Sequence, residues 1–218
     1  MAIDTNRIVK RVLLNGNDIQ LIGEGCEVNK LPQVINKTVV ELTAEDLRSF
    51  TSMPGSFQEW NSVLTSIEIP NTMITVGASA FHRCYGLKTV KFEDNSTCTK
   101  LDNSCFAFTA WIDVKLPDSI QTIGNNVFYQ DTANNRVRSA ILGSSIKSIG
   151  TSNFYSGYIK KVILNKQCLT AEDVPTLASS MGASCIVYVP DETTQTLLQN
   201  STIWSASTIK LISELPEE

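Results

Sequence analysis

The chain has 218 residues, of which 42% are hydrophobic and 18% are charged, and its net charge is −4. This length can bury a sizeable core in one or two domains. The net negative charge does not indicate a basic surface that would bind nucleic acid. No apolar run approaches the roughly 20 residues that would span a membrane. The first residues carry charge throughout and lack the apolar stretch of a secretory signal. The simplest interpretation is a protein used without export, and a removed signal is the alternative.

The N-terminal part, residues 1–60, predicts a hairpin followed by a short helix. Two β-rich runs flank Asn15 and Gly16, a dipeptide that favours a two-residue hairpin turn. The segment LTAEDLRSF, residues 42–50, is typical of a short helix. Because this part does not share the periodicity that follows it, we interpret it as an attachment or capping segment. The apolar residues of the hairpin are the candidate anchor: Val12, Leu13, Leu14, Ile19 and Leu21.

Residues 61–190 contain an internal repeat. Two apolar residues separated by one other residue recur at intervals of about 22 to 26 residues, and this alternation predicts one short strand per repeat. The six pairs are Ile67 and Ile69, Val90 and Phe92, Val114 and Leu116, Ala140 and Leu142, Val162 and Leu164, and Val187 and Val189.

A second motif recurs at a constant distance from these apolar pairs. An apolar residue, two spacers, another apolar residue, then Gly or Asp, precedes a Phe four positions later. The Gly or Asp slot predicts a bend with positive φ, and each Phe predicts one apolar plug per repeat. One unit cannot bury its apolar side alone, so stacking predicts an α/β repeat solenoid with a parallel strand ladder. The four Phe residues are Phe81, Phe106, Phe128 and Phe154.

The repeat resembles the BspA-like class of leucine-rich repeats. Residues 66–70, SIEIP, and residues 76–81, VGASAF, followed by Cys84 and Leu87, match the pattern of that class almost slot for slot. The resemblance covers about residues 64–190 and implies a short leucine-rich repeat solenoid. Proteins of this class are known mainly as exported proteins that bind host matrix or other cells.

The six cysteines are expected to be reduced and mostly buried. No pair has the C-x2-C spacing of a zinc site, and the one histidine of the chain is His82. Free cysteine usually behaves as a small hydrophobic residue. We therefore expect no metal and no cofactor, and we interpret His82 as a surface loop residue. The cysteines are Cys26, Cys84, Cys98, Cys105, Cys168 and Cys185.

The C-terminal part, residues 191–218, predicts a helical cap. Upstream of it, Thr170 and Asp173 have capping-box spacing and predict a short helix that ends at Gly182. A second helix is predicted over residues 190–199, with Asp191 at its N-cap. The tail also resembles the closing segment of BspA-like proteins, which implies that Trp204 packs over the last repeat.

The sequence favours recognition over catalysis. It contains no G-x-S-x-G motif, phosphate loop or paired carboxylates of a catalytic site, so we expect no enzyme. The N-terminal segment, residues 1–23, resembles the particle-anchoring N-terminal segments of bacteriophage structural proteins. This resemblance implies a fibre, tail or capsid accessory protein of a virion, made in the host cytoplasm. Its partners would be other virion proteins, copies of itself, or a host surface protein or glycan. The alternative is a bacterial cell-surface adhesin.

The middle residue of each predicted strand should point outward, because side chains alternate along a strand. The first three such residues are Glu68, Lys91 and Lys115, and the last three are apolar. Three apolar residues in register resemble a site that something covers. The cover is the C-terminal tail or a loop, or else a subunit or ligand; a bare surface is the third alternative. The candidate partner-binding residues are therefore Ile141, Ile163 and Tyr188.

Overall fold

The structure, a computed structural model, describes most of the repeat region and parts of both ends. For the first two ranges the description covers the backbone alone. The described ranges are 9–14, 17–22, 40–130, 137–153, 159–178, 185–204 and 208–216.

Short strands dominate the described ranges, and helices are few. The helices are α1 (Ala44–Leu47) and α2 (Glu192–Asn200), with 3-10 helices at Ala171–Asp173 and Ile212–Glu214. In chain order the strands are β1 (Val9–Leu14), β2 (Asn17–Ile22), β3 (Glu41–Leu42), β4 (Ser52–Met53), β5 (Ser66–Ile69), β6 (Thr75–Val76), β7 (Thr89–Phe92), β8 (Lys100–Leu101), β9 (Asp113–Lys115), β10 (Thr122–Ile123), β11 (Ser139–Leu142), β12 (Ser148–Ile149), β13 (Lys161–Leu164), β14 (Thr176–Leu177), β15 (Ile186–Val189) and β16 (Thr208–Leu211).

The strands stack turn upon turn as parallel ladders, which confirms the predicted repeat solenoid. The two-residue strands form one six-stranded sheet in the order β14-β12-β10-β8-β6-β4. The remaining strands of the solenoid, which are longer except for the two-residue β3, form a three-stranded sheet, β3-β5-β7, and a five-stranded sheet, β16-β15-β13-β11-β9. Strands β3 and β4 lie in the expected N-terminal segment and extend both ladders. The predicted hairpin is also present, because β1 pairs with β2 in antiparallel register with Leu14 opposite Asn17.

The longer-strand ladder is interrupted between β7 and β9, whereas the repeat predicted one unbroken ladder. No hydrogen-bonded pairing joins these two strands, although β8, which lies between them in sequence, pairs with both of its neighbours. The interruption coincides with a longer turn. Five residues separate Phe92 from Cys98, where three separate Ile69 from Met73. The ladder therefore opens where the repeat is irregular.

The predicted aromatic plugs form the centre of the core. Phe81 and Phe106 are fully buried and stack with ring centroids 5.4 Å apart. Trp111 lies between Phe106 and Phe128, with centroid distances of 5.2 and 5.7 Å. Phe154 lies outside the described residues. These rings thus pack in the core and join the turns that contain Phe81, Phe106 and Phe128.

The described cysteines are buried free thiols, as predicted, and Cys26 lies outside the described residues. Burial raises the pKa of the Cys98 thiol to about 11 and that of Cys185 to about 12. These thiols therefore stay protonated near neutral pH and pack as small core residues. The described members of the set are Cys84, Cys98, Cys105, Cys168 and Cys185.

The glycines of the second motif serve a purpose other than the predicted one. Neither Gly77, Gly124 nor Gly150 has a positive φ. A β-carbon on Gly124 would instead lie 2.8 Å from the backbone nitrogen of Asn103 in the preceding turn. These positions exclude side chains because neighbouring turns approach closely there. The left-handed residues come two positions later in each turn, at Ser79, Ser104, Asn126 and Ser152.

A second correction concerns the helix predicted to end at Gly182. Thr170 and Asp173 do form the capping-box contacts, but one turn of 3-10 helix follows and the chain then enters β14. Val174 precedes Pro175, and a residue before proline is disfavoured in the helical region; it has an extended backbone with ψ 122°. Pairing of β14 with β12 then continues the solenoid. Residues 179–184 lie outside the description.

The other predicted caps are present. At α1, Thr43 and Asp46 form a capping box. The Asp191 side chain accepts a hydrogen bond from the Thr194 amide at 2.8 Å and caps α2. Trp204 is buried, and its indole nitrogen donates to the Pro175 carbonyl at 3.0 Å. The tail therefore closes over the last turns, as the sequence indicated.

The close approach of turns at Gly124 can be tested by substitution. We expect Gly124→Ala to lower the free energy of unfolding by about 1–3 kcal/mol, the usual cost of forcing an atom into a packed site. Lys147→Ala is the control, because it shortens an exposed side chain nearby and adds no β-carbon. Urea unfolding followed by circular dichroism measures both. Equal stability of Gly124→Ala and the unsubstituted protein would contradict the assigned role.

Candidate functional site

The outward surface of the five-stranded sheet is the candidate binding surface, and we call it the strand face. Parallel register places equivalent residues of successive strands side by side. A residue and its counterpart on the next strand lie about 4.8 Å apart across such a ladder. The central row of the strand face consists of Lys115, Ile141, Ile163, Tyr188 and Lys210.

The three candidate partner-binding residues lie in this row in the predicted order, but they differ in burial. Ile141 and Ile163 are half-buried, whereas Tyr188 is only 5% exposed. Strand β16 pairs with β15, and the 3-10 helix that follows β16 packs beside β15. The tail thus covers one end of the row. Ile141 and Ile163 form its accessible apolar part.

Charged side chains border this apolar part on both sides. Lys115 is exposed at the edge strand β9. At the other edge, the Lys210 ammonium lies 3.9 Å from a Glu214 carboxylate oxygen. The neighbouring outward row begins with a short polar contact, in which the Ser139 hydroxyl donates to Asp113 at 2.7 Å. Ile186 in that row adds a third half-buried apolar side chain, so the strand face presents a small apolar part with charged and polar residues around most of it, which is the arrangement of a small protein interface.

A groove adjoins the strand face where the ladder is interrupted. It encloses about 670 Å³ between β7 and β9 and is lined by Lys91, Glu93 and Lys115, among others. Its wall is fixed by an ion pair, because the Arg48 guanidinium donates to both carboxylate oxygens of Glu93 at 2.8 and 2.6 Å. The Asn71 amide donates to the same carboxylate at 2.9 Å. These hydrogen bonds stabilise the charged form and lower the pKa of Glu93.

The hairpin that carries the candidate anchor forms a two-stranded sheet of its own. Val12 is opposite Ile19 in its register, Leu13 is opposite Asp18, and Leu21 is opposite Lys10. By the alternation of a strand, positions 12, 14, 19 and 21 share one face, and position 13 belongs to the other. Contact of Val12, Leu13, Leu14, Ile19 and Leu21 with a partner stays a prediction.

His82 is less exposed than a surface loop residue was expected to be. Its side chain is 16% exposed, and Nδ1 lies 2.9 Å from a Glu59 carboxylate oxygen. Burial by itself would raise the pKa of Glu59, but hydrogen bonds from His82 and Ser56 outweigh it and lower that pKa. Within the described ranges, no group of three or more His, Cys, Asp and Glu residues is placed to hold a metal ion.

Comparison with protein families decides what kind of repeat this is. The model of the BspA type leucine rich repeat region matches residues 54–174 in six copies. This chain belongs to the BspA-type leucine-rich repeat family. The match covers more than half of the chain and coincides with the stacked ladders. No curated protein matches the sequence. In the described part of this family member, no helix combines the length and apolarity needed to cross a bilayer.

Solved structures with a similar fold include three bacterial proteins. A T. pallidum leucine rich repeat protein is 17% identical, with a TM-score of 0.44, and the match covers 75% of this chain and 78% of that one. A leucine rich cell surface protein from Faecalibacterium prausnitzii is 16% identical, with a TM-score of 0.45, and the match covers 88% of this chain and 55% of that one. The pneumococcal vaccine antigen PcpA is 12% identical, with a TM-score of 0.26, and the match covers 80% of this chain and 77% of that one. At these values the similarities say nothing about this chain's partners.

The groove and its ion pair were not expected from the sequence. Arg48 and Glu93 are 45 positions apart, and neither belongs to a repeated motif. One signal was available, since the turn after Phe92 is longer than its counterparts in the repeat. An irregular turn in a regular solenoid indicates where the surface departs from the repeat.

The ion pair predicts a defined pH dependence of stability. The folded-state pKa of Glu93 lies below its ordinary value of 4.5. Its contribution is therefore present above that value and is lost as pH falls through the lowered pKa. We expect Glu93→Gln to be less stable than the unsubstituted protein at pH 7, with a difference that shrinks below pH 4.5.

Urea unfolding across this pH range measures the effect. Asp94→Asn is the matched control, because it removes a neighbouring exposed carboxylate and leaves the ion pair intact. A stability difference for Glu93→Gln that stays constant with pH would show that the ion pair does not contribute to folding.

Proposed function

We propose that the chain is a non-catalytic recognition protein that binds a protein partner through the strand face. One observation carries this proposal: Ile141 and Ile163 lie in register on neighbouring strands and are half-buried, and a lysine stands at each end of their row. Burying an Ile side chain completely contributes about 1.5–3 kcal/mol relative to leaving it exposed. Covering the rest of both side chains would supply part of that free energy. The covalent repeat holds the pair rigidly, so binding orders little of the protein.

We further propose that the protein is a virion component of a bacteriophage that displays the repeats and is anchored by its N-terminal hairpin. Two features support this role: the resemblance of residues 1–23 to particle-anchoring segments, and the pairing of β1 with β2 in a sheet of their own. A hairpin of two strands is marginally stable alone, and attachment to a particle would stabilise it. A bacterial cell-surface adhesin remains the alternative, and cellular location separates the two.

The strand face can be tested with the double substitution Ile141→Lys and Ile163→Lys. We expect the solenoid to remain folded and partner binding to fall at least about tenfold, because two apolar contacts are replaced by charges. Thr51→Lys together with Thr89→Lys is the control, since it adds the same charge at exposed positions elsewhere. Thermal unfolding reports the fold, and pull-down from purified particles or host envelope reports binding. Unfolding of the variant would mean that the stripe is covered internally. Unchanged fold and binding would rule out both interpretations.

The anchor can be tested by deleting residues 1–24. We expect a folded solenoid that no longer joins its assembly, because the deleted hairpin contributes no strand to the described ladders. Mass spectrometry of purified particles and of envelope fractions compares the full chain with the truncated one. A full chain found in the envelope and missing from particles would support the adhesin. Loss of fold on truncation would make the hairpin a cap.

A further inference from the structure

A row of aromatic rings runs along a side of the solenoid formed by the turns that follow the six-stranded sheet. Trp60, His82, Phe108 and Tyr129 come from successive turns and meet edge to face. Their ring centroids lie 6.5, 5.3 and 5.4 Å apart in that order. Trp60 is 48% exposed at one end of the row. The row is separate from the strand face and from the residues of the proposed function.

Three bulky residues of this region have a left-handed backbone. Trp60, Arg83 and Phe108 have φ values of 68°, 62° and 58°. Large side chains rarely adopt this conformation, which glycine or asparagine would satisfy more easily. The other left-handed residue of each turn is small, as at Ser79 and Ser104. Strained positions of this kind occur often at binding sites. These three positions are therefore where we look for a binding site.

Arg83 is the charged group of this row. The central carbon of its guanidinium lies 4.0 Å from the centroid of the Trp60 ring and 5.4 Å from that of Phe108. Arg83 makes no salt bridge with any described residue, and its Nε is buried without a hydrogen-bond acceptor. A guanidinium that lies over an aromatic ring can still pair with a carboxylate through its outer nitrogens. The rings thus hold in place a cation that acts on Glu59 through space but forms no ion pair with the described residues.

We propose that Trp60, Arg83, Glu59 and His82 form a binding site for an acidic saccharide, a sugar ring that carries a carboxylate. A sugar ring has an apolar C–H face, which suits the face of the Trp60 indole that Arg83 does not cover. The ligand carboxylate pairs with Arg83. The Glu59 carboxylate accepts hydrogen bonds from ring hydroxyls and is held by His82 at 2.9 Å. The positive charge of Arg83, which also acts on Glu59, offsets repulsion between Glu59 and the ligand carboxylate.

The backbone of this side argues against an extended peptide as the ligand. Each left-handed residue already donates its amide to the next turn: Trp60 to His82 at 2.8 Å, Arg83 to Ala107 at 2.9 Å and Phe108 to Tyr129 at 2.8 Å. An added strand would therefore find no free ladder of donors here. The inner rings of the row are half-buried, and Trp60 is the one ring of the row that is exposed. One exposed ring suits a sugar better than the 800 Å² or so per partner of a stable protein interface.

The test uses the full chain and a matched pair of sugars, sialyllactose and lactose, which differ by the acidic residue. We expect sialyllactose to bind more tightly than lactose by calorimetry. Arg83→Gln should weaken sialyllactose binding at least about tenfold, the usual effect of losing a hydrogen bond to a charged group, and bring it to the level of lactose. Trp60→Ala should weaken both sugars. Ile74→Ala, which removes an equally exposed apolar side chain elsewhere, should change neither.

Three results would overturn the site. The first is no binding of sialyllactose, or of oligogalacturonate as a second acidic sugar, at millimolar concentration. The second is binding that Arg83→Gln and Trp60→Ala leave unchanged while thermal unfolding shows intact folds. The third is preference for an acidic peptide, tested with oligoglutamate, over both acidic sugars. None of these results depends on the strand face, which the lysine substitutions test separately.

Discussion

The close approach of consecutive turns is the constraint on which the rest of the molecule depends. Parallel strands in register hold neighbouring turns about 4.8 Å apart, and every group between two turns must fit that spacing. Gly77, Gly124 and Gly150 meet it by having no β-carbon, and Phe81 meets it by stacking on Phe106. Each turn contacts chiefly its neighbours, so stability accumulates from one interface to the next.

The same spacing between turns places equivalent residues of successive turns side by side in rows, and these rows form the surfaces that a partner can contact. On the strand face the row places Ile141 beside Ile163. On the turns that follow the six-stranded sheet it places Trp60, His82 and Phe108 in edge-to-face contact. Neither row exists within one repeat. A residue that is unremarkable in its own turn becomes part of a site because the next turn carries a matching one.

Departures from the repeat create the remaining features of the surface. The longer turn after Phe92 accompanies the opening between β7 and β9, and the groove there is walled by the Arg48–Glu93 ion pair. At the C-terminal end, α2, Trp204 and β16 protect a ladder that would otherwise expose its last edge. That cover also reaches Tyr188 and so limits the apolar row that the strand face can offer. Regular turns supply the scaffold, while irregular turns and the ends shape what it can bind.

The sequence by itself determined the solenoid, the Phe plugs, the buried cysteines, the hairpin and the helices after Thr43 and Asp191, because each follows from alternation, spacing or a local cap. Tertiary structure decided whatever depends on the neighbouring turn. The glycines proved to avoid a clash, and the segment after Asp173 became a strand because Pro175 disfavours a helix and β12 offers a partner. The order of the outward row followed from the period of two, but the burial of Tyr188 did not. The break in the ladder, like the Arg48–Glu93 pair and the row of rings, depends on how residues of different turns are placed. The distance between turns is set only when the turns stack.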